Sequence, residues 1–239
     1  MKPFTFIDIP KTASTSIHNA LSDVYEDYNF SELLRDSARP FRDDGCRDKR
    51  TWFRHQTLQS RILNGEAVAD TYTFTVVRDP LARFVSMWKY IHAVKSEALD
   101  PEADRDHGRH GEACVRYLSD VKDFDTHVER VYIHSHFPRD LSRRPVPPIN
   151  WIDGKSLNLM KSMVTLSDDP DTVAVDFVLK FESLPRDWKQ LCKNLEIPFK
   201  PLPNFNSSPD KTPWQKFYTR RTRAIVRDLY LDDFITFGY

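Results

Sequence analysis

The stretch Phe4-Thr5-Phe6-Ile7-Asp8-Ile9-Pro10-Lys11-Thr12-Ala13-Ser14-Thr15-Ser16-Ile17-His18-Asn19-Ala20-Leu21 decides the fold. Its run through Ile9 suits a buried parallel strand, and Pro10 stops it because proline has no N–H to give to a ladder. Ser14, Thr15 and Ser16 are helix-starting residues, and Ile17, Ala20, Leu21 and Val24 then share one helical face. The stretch therefore reads strand, tight loop, helix. Lys11 stands in the loop, followed by small residues whose backbone N–H groups are free to turn toward an anion. A helix N-terminus with a lysine beside it suits a phosphate. The full G-x-x-x-x-G-K-[ST] pattern is absent, so taken alone the stretch fits an ordinary strand-to-helix turn as well as a phosphate site.

The 239 residues around this stretch are enough for one well-buried α/β domain covering 1–239. Lysine plus arginine balance aspartate plus glutamate at 35 each, so no overall field draws the chain to nucleic acid or a membrane surface. Anion binding has to be local. The three cysteines, Cys46, Cys114 and Cys192, are odd in number and lack C-x-x-C spacing. That argues against a disulfide framework or a structural zinc and fits a reducing cytoplasm. No segment has the uninterrupted apolar length of a bilayer span, and the N-terminus carries no signal-peptide pattern, so a soluble chain is expected.

A second strand-to-helix turn follows. Thr71 to Val77 alternates threonine with aromatic and branched residues, a strand signal, and Arg78-Asp79-Pro80 closes it. Asp79 is placed to cap the next helix and Pro80 suits its first turn, while Leu81, Phe84, Val85, Trp88 and Ile91 form its buried face. Asp79, Arg83, Ser86 and Tyr90 fall on the opposite side. Arg78 thus stands at the carboxyl end of a strand with Ser86 on the helix behind it, where open α/β sheets bind ligands. Ahead of this turn, His55 stands at the entrance to a helix over Gln56 to Leu63.

The remaining segments read more coarsely. Residues 35–50 are a polar loop, and Glu97 to Gly111 is a polar surface loop holding His107 and His110. A helix over Asp123 to Val131 leads to His134 and His136, whose alternate spacing is not completed into a metal site by any further pattern. Val173 to Phe181 is a strand, followed by an amphipathic helix bearing Leu184, Trp188, Leu191 and Leu195. Asn204 to Gln215 is a proline- and serine-rich loop, and Thr219 to Leu231 is a final helix.

Two turns, one with a lysine and hydroxyl residues and one with an arginine and a serine, suit a nucleotide carrying phosphates at both ends. Pro10-Lys11-Thr12-Ala13-Ser14-Thr15-Ser16 resembles the 5′-phosphosulfate loop of the sulfotransferases that use 3′-phosphoadenylyl sulfate (PAPS). Val77-Arg78-Asp79-Pro80-Leu81-Ala82-Arg83-Phe84-Val85-Ser86 resembles their 3′-phosphate motif. The pair is most similar to the branch of the heparan and uronyl 2-O-sulfotransferases and their bacterial relatives. The resemblance covers most of the chain and implies an α/β, three-layer, P-loop-like fold with a central, mainly parallel sheet flanked by helices.

It also implies a reaction: transfer of a sulfuryl group from PAPS to a hydroxyl of a carbohydrate or small molecule, leaving adenosine 3′,5′-bisphosphate (PAP), with no metal. By the same resemblance, Lys11 assists the leaving phosphate and the N–H groups of Thr12, Ala13, Ser14, Thr15 and Ser16 hold it. Arg78 and Ser86 hold the 3′-phosphate, Lys211 reaches over the nucleotide from a late basic loop, and His55 is the base, with His134 and His136 as alternatives. Related loops often carry glycine where this chain has Ser14, which bears on loop geometry. Two other readings stand beside this one. The first is a phosphate-loop kinase, against which the missing glycine-rich loop speaks. The second is a non-catalytic nucleotide-binding module, which would need no base.

Overall fold

The computed structural model describes residues 1–25, 55–100, 108–136, 159–203 and 208–239. In chain order its elements are β1 (Phe4–Ile7), α1 (Ser14–Ser22), α2 (Leu58–Leu63), β2 (Tyr72–Val77), α3 (Pro80–Leu99), α4 (Gly108–Asp120), α5 (Phe124–His136), α6 (Met160–Val164), β3 (Phe177–Lys180), α7 (Leu184–Leu195), α8 (Arg220–Leu229) and α9 (Leu231–Phe237). The polar loop over 35–50, Trp52, His107, Arg139, Arg143, Arg144, Trp151 and Cys46 lie outside the described residues, as do the side chains of His110 and His134. The described residues form two compact units.

The first unit, Met1–Arg78 with Met160–Asn206, contains a parallel sheet of order β1-β2-β3. An all-parallel sheet with helices between its strands is the α/β class expected from the sequence. Phe6 pairs with Phe74 across β1 and β2, and their rings stack 4.9 Å apart. Ile17 and Leu21 of α1 and Trp188, Leu191 and Leu195 of α7 close over these rings with Val76 and Leu179. Burying side chains of this size is what holds strand and helix together, at about 1.5–3 kcal/mol each.

The threonines of β2 do a different job. Thr75 donates to the Ile7 carbonyl at 2.8 Å, and both the N–H and hydroxyl of Thr73 donate to Asp176 Oδ2 at 2.7 Å. Asp176 returns its own N–H to the Thr73 hydroxyl at 2.9 Å. This side-chain clamp replaces the ladder at that level, so β3 starts at Phe177 rather than at Val173. It ends at Lys180, where the chain enters a 3-10 turn over Phe181–Ser183.

The second unit, Asp79–Leu159 with Ser207–Tyr239, is helical throughout its described elements. Asp79 caps α3 by accepting from the Ala82 N–H at 2.9 Å, and Pro80 occupies the first turn, as expected. Of the loop expected over Glu97 to Gly111, residues 97–99 belong to α3 and 108–111 to α4, and 101–107 lie outside the described residues. Ile91 and Val94 keep the apolar stripe of α3 running, and Cys114, Tyr117 and Leu118 of α4 join it in one core. Helix α5 also runs past Val131 through His136, since nothing breaks it before Pro138. The final helix divides at Tyr230, which is buried and non-helical at φ −118°, so that Phe234 and Phe237 of α9 also reach the core. Arg83, expected on the exposed side of α3, is only 4% exposed and lies in the field of Tyr230 and Asp233.

His127 is fully buried in this unit among Phe84, Trp88 and Phe124. Its Nδ1 meets the Tyr117 hydroxyl at 2.6 Å. Burial, helped by the positive neighbours His92 and Arg130, pulls its pKa down to about 3. Below its ordinary 6.5 the unfolded chain therefore binds a proton that the folded chain refuses. Stability falls as pH drops from 6.5 toward 3, by up to about 1.4 kcal/mol per pH unit. The thermal midpoint of the parent should drop more steeply between pH 7 and pH 5 than that of His127→Leu; parallel slopes would remove His127 from this role.

Candidate functional site

The loop after β1 is built by backbone conformations that side chains usually avoid. Lys11 and Ala13 have φ of 69° and 77°, in the left-handed region. For residues with a Cβ each costs on the order of 1–2 kcal/mol, so something must hold them there. Part of the hold is Thr12, which is fully buried and donates its hydroxyl to the Ile9 carbonyl at 2.8 Å. Ala13 is the N-cap of α1, and it provides no side-chain cap for the first turn. Ser14, where related loops often have glycine, is the first helical residue and needs no positive φ. The Ser16 N–H closes on the Ala13 carbonyl at 3.1 Å. Left-handed residues alternating ahead of a helix start bring successive N–H groups to one side, the arrangement of an anion-binding nest.

Arg78, at the end of β2, reaches this loop directly. Its Nη1 donates to the Lys11 carbonyl at 3.2 Å, and its guanidinium lies over the Phe181 ring at 4.1 Å from the centroid. The guanidinium thus lies on the 3-10 turn after β3 with one face on Phe181, and one of its five donors braces the Lys11 peptide. Both turns anticipated as anion sites meet through this bond.

His55 lies in the same unit and is tied to the same strand end. Its Nδ1 is 2.9 Å from the Asp8 carbonyl and 3.4 Å from Asp8 Oδ1. Both are acceptors, so Nδ1 carries the hydrogen and Nε2 keeps the lone pair. A partly exposed imidazole with its basic nitrogen fixed in this way is suited to taking a proton. On its other side, Asp8 Oδ2 meets His18 Nε2 at 3.0 Å.

Ser86 and Lys211 belong to the second unit. Ser86 is half-buried on α3, and Lys211 is exposed. Three residues beyond Ser86, Lys89 donates to the carbonyls of Asp210 and Thr212 at 2.9 and 2.6 Å, so the backbone around Lys211 is anchored to the helix carrying Ser86. His136 is exposed, and its Nδ1 is occupied near its own helix by the Tyr132 carbonyl at 3.0 Å and the Ser135 hydroxyl at 2.9 Å.

The family model described as the sulfotransferase family matches residues 2–239. The chain belongs to the sulfotransferase family. No curated protein matches it. Its chemistry is therefore sulfuryl transfer, which replaces the kinase alternative.

Elsewhere in this sulfotransferase, Cys114 and Cys192 are free and buried, and burial pushes their thiols up to about 12 and about 11, which leaves them unreactive. Among the described residues, no cluster of histidine, cysteine and carboxylate side chains could hold a metal ion, and no helix is long and apolar enough to cross a membrane. Sequence reasoning missed Asp8, His18 and Phe181 as supports of the turns in the first unit, and Lys89 as the anchor of the backbone around Lys211 in the second. The available signal was a histidine beside Ile17 on a helix that must pack on β1, with Asp8 the one charged residue at the end of that strand.

Proposed function

We infer that this sulfotransferase uses PAPS as donor and passes its sulfuryl group to a hydroxyl of a carbohydrate or small molecule, releasing PAP, as a single-domain enzyme of a reducing cytoplasm. The observation that carries this reading is the loop before α1: left-handed Lys11 and Ala13 lead into a helix start with no side-chain cap. That loop fits the 5′-phosphosulfate of the donor. Donor chemistry of this kind needs charge stabilisation on a leaving phosphate oxygen and alignment of the acceptor, and it needs no metal. Lys11 supplies the cation, and the amides of Thr12, Ala13, Ser14 and Thr15 with the hydroxyls of Thr15 and Ser16 supply neutral donors. Arg78 and Ser86 recognise the 3′-phosphate, and Lys211 adds charge over the nucleotide. His55 Nε2 takes the acceptor proton.

The test is transfer from labelled PAPS to a panel of saccharides, phenols and small alcohols, beside calorimetric titrations with PAP and with its analogue lacking the 3′-phosphate. PAP should bind more tightly than the analogue, and Arg78→Ala should reduce that preference by about 10- to 100-fold, the worth of a hydrogen bond to a charged group. Equal affinity of the parent for the two nucleotides would remove the 3′-phosphate role. Tight PAP binding with no transfer to any acceptor would favour a binding module.

A further inference from the structure

Two histidines straddle one buried carboxylate at the end of β1. The Asp8 side chain is 1% exposed and the His18 side chain 6%, whereas that of His55 is 21% exposed. A buried carboxylate is costly unless it is paired, and three residues before the lysine of an anion loop its sign is also wrong for holding phosphates. A unit evolved only to bind anions would gain nothing from a charge there. Its contacts indicate what it serves: Oδ2 is held by His18 Nε2 at 3.0 Å, and Oδ1 lies 3.4 Å from His55 Nδ1.

Building on the reading of His55 as the base, we propose that Asp8 is a positioning residue that orients His55 and balances the charge it acquires, with His18 holding the Asp8 carboxylate in place. Each of its two functions comes from a different oxygen. The main-chain carbonyl of Asp8 receives the Nδ1 hydrogen at 2.9 Å and fixes the tautomer. The carboxylate cannot replace that bond, but it faces the ring where positive charge develops. During transfer the acceptor oxygen forms its bond to sulfur, the bond from sulfur to the 5′-phosphate oxygen breaks with its electron pair left on that phosphate, and the acceptor proton passes to His55 Nε2. His55 becomes an imidazolium beside an anionic Asp8, a pairing the low-dielectric interior strengthens. His18 is tied to the same carboxylate from α1, and its ring packs on Phe6 at 5.1 Å, so the helix that follows the anion loop also sets the carboxylate. The base and the anion loop thereby share one rigid support, which keeps the proton acceptor in register with the leaving group.

The first measurement needs no altered chain beyond His55→Ala for assignment. Two-bond nitrogen–proton spectra of the parent should show neutral His55 protonated at Nδ1; a dominant Nε2-protonated form would overturn the proposal. Asp8→Asn should lower kcat by about 10- to 100-fold while KM for PAPS and Kd for PAP stay within about threefold. His18→Gln should lower kcat less, with PAP affinity again unchanged. In the His55→Ala background, both substitutions should cost no more than about twofold, because residues acting through one group are not additive. Multiplicative losses there would sink the role of Asp8 alone. Parent-like turnover of His55→Ala would instead sink the base reading and this role with it. Should Asp8→Asn fail to bind PAP as a folded protein, the His18→Gln cycle and the parent spectrum decide.

Discussion

Lys11→Ala should lose about 10²- to 10³-fold in single-turnover rate, the scale of removing one preorganised group from a developing oxyanion, while PAP affinity should fall far less. The geometry makes this a clean substitution. Lys11 holds a φ of 69°, and alanine pays a similar conformational cost there, so the loop keeps its shape. The bond from Arg78 goes to the Lys11 carbonyl, which alanine retains. What disappears is the ammonium, and its largest effect falls where charge builds on the leaving 5′-phosphate. Glycine at position 11 would relax the backbone as well and confuse the two effects. Rapid-quench rates with labelled PAPS, set beside PAP titrations, separate them; equal losses in rate and affinity would make Lys11 a binding residue only.

The second large effect belongs to His55. His55→Ala should lower kcat by about 10²- to 10⁴-fold, the range of a lost general base, with PAP affinity within about twofold. Its contacts are to Asp8 and not to the amides of the anion loop, so removing the ring leaves that loop intact. The control is His136→Ala. That histidine sits exposed, with Nδ1 engaged on its own helix at Tyr132, and its loss should leave the rate within about twofold. Near-parent turnover of His55→Ala with a large loss in His136→Ala would exchange the two assignments.

Local features of both turns were legible because they depend on residues close in sequence. Asp79 and Pro80 start a helix, and Leu81, Phe84, Val85, Trp88 and Ile91 repeat at helical spacing, both of which the structure bears out, whereas β1 ends at Ile7, two residues short of the expected end at Ile9 before Pro10. Features set by distant partners were misread. Arg83 follows a surface pattern yet is buried beside Tyr230 and Asp233, more than 140 residues away in the chain. The start of β3 was misplaced because Asp176 bonds to Thr73 instead of to a ladder neighbour, and no strand propensity reports a bond across 103 positions.

By itself the sequence determined the α/β class, the strand-loop-helix units around Lys11 and Arg78, and the family, since each rests on short-range pattern and residue chemistry. Tertiary structure alone decided that Arg78 braces the Lys11 peptide and lies on Phe181, and that Asp8 stands between His55 and His18. The physical reason is one of range. Helix and strand periodicity is written within a few residues, whereas the orientation of a base and the pairing of a buried carboxylate depend on packing parallel strands that are close in space and far apart along the chain.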